Sequence, residues 1–249
     1  MVLSAKERII FPLDCSTLKE AEYYVAILKD YVGLFKIGLE LFVSVGPEAI
    51  RRIKAISGVD QGNIFLDMKF HDIPETVRSA YQAASIHGVS FVTIHCDEGR
   101  RLIETMVGEV IKGSRTRVLA VTLLTSIDKN SLIMLGYPPD ITPKEIVLLK
   151  AELAKEAGCD GVVCSGLEAH LVKERFGPDF IVVVPGIRPL WSKVRDDDQR
   201  RIVTPSEAVR KGADYVVVGR PIREASDPVT AAIKIAEEIE DALLAEGLS

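Results

Sequence analysis

An apolar run in the first third of the chain ends in three charged residues that could act together. The stretch NIFLDMKFHDIPETV (residues 63–77) places Asp67, Lys69 and Asp72 within six positions. Residues two apart on a strand point the same way, so we expect Asp67 and Lys69 to share one face. An ammonium group between carboxylates keeps its proton, because nearby negative charge favours the charged form. The spacing favours a functional site, and an ion-pair network with a purely structural role is the alternative.

Two more charged residues lie at the ends of the apolar runs that precede this stretch. Asp14 follows the first run, RIIFPLD, and Lys36 lies within the second, LFKIG. In a (β/α)₈ barrel the carboxyl ends of all strands share one face, where active sites are built. With Asp67 and Lys69, these residues would bring four charges from three neighbouring strands together. A solvated surface residue is the alternative for any one of them, but the joint pattern favours a site.

Glycine-containing turns in the last third of the chain are typical of a phosphate site. Pro185-Gly-Ile-Arg188 and Gly219-Arg220 follow the last two apolar runs. In barrels, the loops after the seventh and eighth strands often hold phosphate through backbone N–H groups. An arginine adds a planar, permanently charged set of donors. The pattern predicts that an anion binds beside Arg220.

Eight short apolar runs supply the strands that must position these residues. Most are rich in β-branched residues and lack polar alternation, as parallel strands covered on both faces do. The runs span residues 8–14, 34–38, 64–69, 90–95, 117–124, 161–166, 180–188 and 215–220.

Helical patterns lie between the predicted strands. Pro47 and Pro74 stand where a first helical turn would begin. The segment 98–112 reads as a helix that ends at Gly113, and longer linkers are expected only around 127–142 and 189–204. Two apolar stripes at helical spacing are formed by Leu18, Ala21, Val25 and Leu28, and by Val229, Ala232, Ile233, Ala236 and Ile239.

Eight strand–helix units in 249 residues most economically form a (β/α)₈ barrel, and we expect residues 1–249 to be one domain. A doubly wound open sheet is the alternative fold. No GxGxxG motif follows the first run, which weakens the dinucleotide-binding version of that alternative.

The composition excludes several classes of partner and location. The net charge is −5 with no block of like charge, which argues against a nucleic-acid surface. No stretch is long and apolar enough for a membrane span, and the N-terminus lacks the core of a signal peptide. The four cysteines are scattered, as reduced thiols of a cytoplasmic protein would be. The histidines lack the i,i+4 spacing of a zinc site, so no metal is indicated.

Taken together, these motifs resemble those of a known family. LDMKFHDIP resembles the Asp-x-Lys-x-x-Asp signature of the orotidine 5′-phosphate decarboxylases, including the Ile-Pro that follows it. The resemblance extends over nearly the whole chain. The other matches are PLD (12–14), FKIGLELF (35–42), LTS (124–126), PGIR (185–188), DQRR (198–201) and VGR (218–220).

The resemblance implies decarboxylation of orotidine 5′-phosphate to uridine 5′-phosphate, the last step of de novo uridylate synthesis, without a metal or organic cofactor. Lys69 would donate the proton to C6 of the pyrimidine, and Asp67 and Asp72 would complete the charged array. The resemblance also implies a homodimer, in which Asp72 reaches the site of the partner subunit together with Ile73 and Thr76.

The remaining implied contacts are with the substrate. Asp14 and Lys36 would hold the ribose hydroxyls, and either Thr125 or Ser126 would make the main contact with the pyrimidine. Binding energy from the phosphate, which is remote from C6, could close the loop around 189–199 and order the site. The residues around the phosphate would be Arg188, Gln199, Gly219 and Arg220.

The sequence departs from the family pattern in two places. Cys15 follows Asp14 where a larger apolar residue is expected. The loop PLWSKVRDDD (189–198) carries three successive acids near the implied phosphate site. Because these carboxylates would repel a phosphate, we expect Asp196–Asp198 to face solvent.

Two other functions compete with this hypothesis. A magnesium-dependent sugar-phosphate decarboxylase or aldolase could share the barrel and the Asp-x-Lys-x-x-Asp motif, with the acids helping to hold the metal. A non-catalytic nucleotide-binding barrel could keep the charged array for binding alone.

Overall fold

The structure is a computed structural model that describes residues 3–58, 63–97, 99–108, 115–192 and 201–247. Its eight parallel strands close into a barrel in sequence order, with β1 paired to both β2 and β8. The predicted (β/α)₈ barrel is confirmed, and the open-sheet alternative is wrong. The strands are β1 (Ile9–Pro12), β2 (Leu34–Ile37), β3 (Ile64–Phe70), β4 (Phe91–His95), β5 (Arg117–Val121), β6 (Gly161–Val163), β7 (Ile181–Val184) and β8 (Tyr215–Val217).

Every predicted strand overlaps an observed one, but four of the observed strands end three or four residues before the predicted ends. These are β5, which ends at Val121, β6 at Val163, β7 at Val184 and β8 at Val217. Apolar residues continue past the ladder because some of them, such as Leu123 and Pro185, line a cavity instead of pairing. Apolar character alone therefore overestimates strand length at this end of the barrel.

Eleven α-helices lie among the described residues, most of them outside the barrel. They are α1 (Leu18–Leu28), α2 (Leu39–Val45), α3 (Glu48–Ser57), α4 (Pro74–Ile86), α5 (Arg100–Val107), α6 (Lys129–Met134), α7 (Pro143–Glu156), α8 (Ala169–Phe176), α9 (Pro205–Arg210), α10 (Arg220–Arg223) and α11 (Pro228–Ala245). Within this set, no helix is both long and apolar enough to cross a membrane.

Three helical predictions need correction. The segment 127–142 is not only a linker, because Asp128 caps α6 by accepting a hydrogen bond from the Ser131 N–H at 2.9 Å. The helix predicted at 98–112 occupies Arg100–Val107, and its predicted end at Gly113 lies outside the described residues. In α11, Ile233 is 37% exposed whereas Ile235 is fully buried.

The core has two layers, one inside the barrel and one between the strands and the helices. Because alternate strand residues point inward, Lys36 follows Leu34 into the barrel and Asp67 follows Phe65. The interior is therefore apolar near the start of the strands and polar near their ends. The apolar interior cluster consists of Ile10, Leu34, Phe65, Phe91, Leu119, Val183 and Tyr215.

All four cysteines are free and buried, in agreement with the predicted reduced thiols. Burial raises the pKa of Cys15, Cys96 and Cys164 to about 12. Cys15 is 2% exposed and packs in the outer core. It therefore acts as a small apolar residue at the position where a larger one was expected.

Candidate active site

A cavity of about 500 Å³ opens at the carboxyl ends of the strands. Most of the residues predicted to form the site line this cavity, although they come from distant parts of the sequence. They are Asp14, Lys36, Asp67, Lys69, Thr125, Ser126, Arg188, Gly219 and Arg220.

The other predicted site residues are not part of this lining. Asp72, Ile73 and Thr76 are exposed at and beyond the end of β3, and the Asp72 Oδ1 accepts a hydrogen bond from the Ile73 N–H at 2.7 Å. Gln199 lies outside the described residues. The same holds for Asp196–Asp198, so their predicted orientation stays a prediction.

Four charged side chains form an alternating chain of acid and base along one wall. The Lys36 Nζ lies 3.3 Å from the Asp14 Oδ1 and 3.4 Å from the Asp67 Oδ2. The Asp67 Oδ2 also lies 2.8 Å from the Lys69 Nζ. The inner pair, Lys36 and Asp67, is largely buried, whereas the Lys69 side chain is 33% exposed to the cavity. The predicted meeting of charges from three strands is confirmed in this geometry.

The two buried members of this chain stabilise each other's charge. Burial alone would raise the pKa of Asp67, but Lys36 and Lys69 outweigh it and hold that pKa below its usual range. Burial would lower the pKa of Lys36, and the carboxylates of Asp67 and Asp14 raise it instead. At neutral pH both groups are therefore charged, as expected for a buried pair with close partners.

The backbone at Lys69 departs from a regular strand. Its φ is 52°, in the left-handed region that side chains other than glycine's rarely adopt. From Leu66 to Phe70, β3 advances four residues while β4 advances two. Asp67 and Lys69 thus meet as predicted, but alternation along a regular strand is not the full reason. A backbone of this kind typically costs about 1–3 kcal/mol and persists where the surroundings hold it.

Thr93 on β4 holds this backbone and was missed in the sequence. Its Oγ1 accepts a hydrogen bond from the Lys69 N–H at 2.8 Å and donates one to the Asp67 Oδ1 at 2.9 Å. One buried hydroxyl thus fixes both the unusual backbone and the carboxylate. The available signal was a threonine in the middle of the apolar run of β4.

A second wall, formed by the loops after β7 and β8, carries the arginines and glycine-containing turns that were predicted to bind an anion. The Arg188 N–H donates to the Val203 carbonyl at 2.9 Å, and the Arg188 Nη1 donates to the Ile187 carbonyl at 2.8 Å. Arg220 begins α10 directly after Gly219. Arg223, which the sequence analysis missed, also lines the cavity and donates to the Asp14 carbonyl at 2.7 Å.

Between these two walls lies a largely apolar surface. Thr125 is buried and Ser126 is exposed, and both line the cavity. The apolar lining residues include Phe65, Val121, Leu123, Val163 and Val217. A flat ring could lie on this surface, with one edge toward Lys69 and a charged substituent toward Arg220.

Within the described ranges, no group of three His, Cys, Asp or Glu side chains is arranged to hold a metal ion.

The sequence and the fold were compared with those of known proteins. The model of the "Orotidine 5′-phosphate decarboxylase / HUMPS family" matches residues 7–235. The chain is 45% identical over 239 residues to an orotidine 5′-phosphate decarboxylase of Trichlorobacter lovleyi, with 94% of this chain and 96% of the relative covered. It is 46% identical to the Desulfosudis oleivorans protein of the same name, with 96% and 95% covered.

A solved structure gives the same result for the fold. The crystal structure of orotidine 5′-phosphate decarboxylase from Lactobacillus acidophilus matches with a TM-score of 0.78 and 34% identity. The match covers 93% of this chain and 98% of that one.

Proposed function

Since this chain belongs to the orotidine 5′-phosphate decarboxylase / HUMPS family, we propose that it decarboxylates orotidine 5′-phosphate to uridine 5′-phosphate in pyrimidine biosynthesis. One observation supports this most strongly. The chain of charges Asp14–Lys36–Asp67–Lys69 ends at an ammonium group that faces the cavity. Arginines and glycine-containing turns stand on the other wall.

The reaction needs a fixed cation beside C6 of the pyrimidine. When the bond from C6 to the carboxylate breaks, CO₂ leaves and the electron pair stays on C6, in the plane of the ring. It cannot delocalise into the π system there, so a preorganised positive charge must stabilise it. The Lys69 ammonium does this and then transfers one proton to C6 as a general acid. The neutral amine afterwards regains a proton from solvent.

Asp67 and Lys36 prepare Lys69 for this role. Asp67 accepts a hydrogen bond from the Lys69 Nζ at 2.8 Å and is itself held by Lys36 and Thr93. Because these partners are in place before substrate binds, little reorganisation is needed during the reaction.

The substrate contacts follow the two walls of the cavity. Asp14 and Lys36 bind the ribose hydroxyls, and Thr125 or Ser126 contacts the pyrimidine. The phosphate lies at Arg188, Gly219 and Arg220, where planar donor groups and backbone N–H groups suit its oxygens. The contact proposed for Gln199 stays a prediction.

We further propose a homodimer in which each subunit completes the site of the other with Asp72, Ile73 and Thr76. Two observations support it. All three residues are exposed beside the end of β3, and Ile73 is an apolar residue that is 67% exposed. A shared surface would cover it. That residues 1–249 form one domain and that the enzyme is cytoplasmic also stay predictions.

Complementation tests the shared site directly. Lys69→Ala and Asp72→Asn subunits are each expected to be inactive alone, because every site lacks one essential group. Mixed dimers contain one site with both groups native, so mixing should restore part of the activity. If unfolding and refolding the two variants together restores nothing, Asp72 does not act across subunits.

An absorbance assay separates the three candidate functions. Purified protein is treated with excess chelator, and the loss of orotidine 5′-phosphate absorbance is followed. Turnover that survives chelation supports the cofactor-free decarboxylase. Loss of turnover that added Mg²⁺ restores would favour the metal-dependent enzyme. Tight binding of the nucleotide without turnover, with or without Mg²⁺, would favour the binding module.

A further inference from the structure

A second buried ion pair lies behind the cavity, away from the charges that face it. The Arg201 Nη1 donates to the Glu168 Oε1 at 2.9 Å, and the two side chains are only 8% and 6% exposed. Glu168 precedes α8, and Arg201 precedes α9. Neither side chain lines the cavity, so the proposed chemistry does not use them directly.

The pair is not arranged as an optimal stabilising contact. It makes a single hydrogen bond where an arginine and a carboxylate could make two. Among the described residues, the Glu168 Oε2 and the Arg201 Nε are buried without a hydrogen-bond partner. Burial raises the pKa of Glu168, and the Arg201 charge opposes that rise. Buried pairs of this kind are weak evidence for stability, which points to another reason for their presence.

Contacts around Arg201 connect the apolar surface of the cavity with the wall that carries Arg188. A second, longer hydrogen bond joins the Arg201 Nη2 to the carbonyl of Leu123 at 3.5 Å. Leu123 lines the cavity two residues before Thr125, on the side proposed for the pyrimidine. Arg201 therefore contacts the backbone of that apolar surface from behind.

Val203, two residues after Arg201, contacts the phosphate side. It forms a parallel bridge with Ile187. Its carbonyl accepts from the Arg188 N–H at 2.9 Å, and its N–H donates to the Gly186 carbonyl at 3.3 Å. A side chain on Gly166 would collide with Val203, since an added Cβ would lie 2.4 Å from the Val203 Cγ2. The backbone after β6 thus packs closely against the same bridge.

From these contacts we infer that Glu168 and Arg201 are positioning residues, which fix the Ile187–Val203 bridge beside Arg188 relative to the apolar surface that Leu123 lines. The inference rests on the proposed function, because it concerns how phosphate binding is transmitted to the decarboxylation step. Binding energy from a non-reacting phosphate raises the rate only if its contacts are held at a fixed distance from the reacting carbon. The ion pair supplies that fixed distance.

The test compares orotidine 5′-phosphate with orotidine, which lacks the phosphate. In Arg201→Met we expect kcat/KM for orotidine 5′-phosphate to fall by about tenfold or more, while kcat/KM for orotidine stays within about twofold of wild type. Arg201→Lys keeps the charge and should recover part of the loss. A general loss of folded protein would lower both kcat/KM values together. The ratio of kcat/KM for orotidine 5′-phosphate to kcat/KM for orotidine therefore distinguishes a positioning role from a structural one.

A matched pair at the other end of the barrel provides the control. Lys173 and Asp214 also form a partly buried ion pair, at 2.7 Å, and Lys173→Met should leave the ratio unchanged. The double variant Glu168→Leu/Arg201→Met removes both charges together, which buried pairs often tolerate, and should show the same reduced ratio as Arg201→Met.

Three results would contradict the inference or the proposed function on which it rests. A ratio within about twofold of wild type in Arg201→Met and in the double variant rejects the positioning role. If none of the three variants at these two positions yields folded protein, the pair is a requirement of the fold, and the positioning role is also rejected. Wild-type protein that does not convert orotidine 5′-phosphate rejects the proposed function itself.

Discussion

Carboxylates are found at both ends of the barrel, and their partners differ. Before the strands begin, the Asp160 Oδ2 accepts the Val118 N–H at 2.7 Å, and the Asp214 Oδ2 accepts the Val182 N–H at 2.7 Å. Asp214 also pairs with the Lys173 ammonium, which does not line the cavity. At the carboxyl ends, Asp14 and Asp67 pair with the ammonium groups of Lys36 and Lys69, which do. Backbone partners join one strand to the next, whereas side-chain partners leave charge available to a ligand.

The two ends also differ in backbone geometry. Among the described residues other than glycine, Lys69 is the one with a positive φ, and it lies at the carboxyl end, beside the register shift between β3 and β4. At the amino end the ladder is regular, as for β4 with β5, whose pairing begins at Phe91 and Arg117. In this barrel, unusual backbone geometry is concentrated at the functional end. Four predictions test that division.

The largest expected effect is from Lys69→Ala. A general acid typically contributes about 10²–10⁴-fold in rate, and a fixed group that stabilises developing charge about 10²–10³-fold. Because Lys69→Ala removes both, kcat should fall by more than about 10⁴-fold. Nucleotide binding should stay measurable by calorimetry. The matched control at the amino end is Lys173→Ala, which should keep kcat within about twofold and lower the melting temperature. Full activity in Lys69→Ala would remove this lysine from the mechanism.

Arg220→Ala should have the next largest effect. Without its planar donors the phosphate is held poorly, and we expect kcat/KM for orotidine 5′-phosphate to fall by about 10²-fold. The measurement is steady-state kinetics beside Arg210→Ala, an exposed arginine at the end of α9. A loss below about twofold would contradict the phosphate role.

Thr93→Val should have a smaller effect that depends on pH. The hydroxyl donates to Asp67 and helps to lower its pKa, so the variant should raise that pKa toward the usual value of about 3.9. The acid limb of the kcat/KM profile should therefore move to higher pH. A carboxylate whose pKa is lowered by folding stabilises the folded state at pH values above its unfolded pKa, and this stabilisation is lost as the pH falls through its folded pKa. Thr93→Val should therefore also have a lower free energy of unfolding at neutral pH. An unchanged acid limb would show that Thr93 does not influence Asp67.

The smallest effect on rate should come from Asp214→Ala at the amino end. It removes the acceptor for the Val182 N–H and for the Lys173 ammonium, so the free energy of unfolding should fall by about 2 kcal/mol. The folded variant should keep kcat within about twofold. Denaturant unfolding and kinetics on one preparation would check both, and a large loss of kcat would break the division between the two ends.

The sequence predicts local features well because strands and motifs are continuous in the chain. The eight strands follow from apolar runs. The meeting of Asp67 with Lys69 was predicted from their spacing, but the left-handed backbone of Lys69 and the register shift between β3 and β4 also determine it. The features that were missed depend on distant partners. Thr93 is hydrogen-bonded to Lys69, which is 24 residues away, and Arg201 to Glu168, which is 33 residues away. The spacing of apolar residues within a single segment does not predict such contacts.

The errors within single segments have a different cause. Ile233 was assigned to the apolar stripe of α11. In a helix each residue is rotated by about 100° from the previous one. The face that packs on the barrel is centred on Ala232, Ile235 and Ile239. The predicted stripe could not show which of its edges packs on the barrel.

The left-handed backbone of Lys69 has a consequence for anyone who wishes to transplant this motif. Copying Asp-x-Lys-x-x-Asp onto an ordinary strand of another barrel would point the amine elsewhere, because the amine's direction is set jointly by two adjacent strands. A successful graft would also have to include Thr93 of β4 and the two residues by which β3 outruns β4 between Leu66 and Phe70. The transferable unit is therefore a pair of strands.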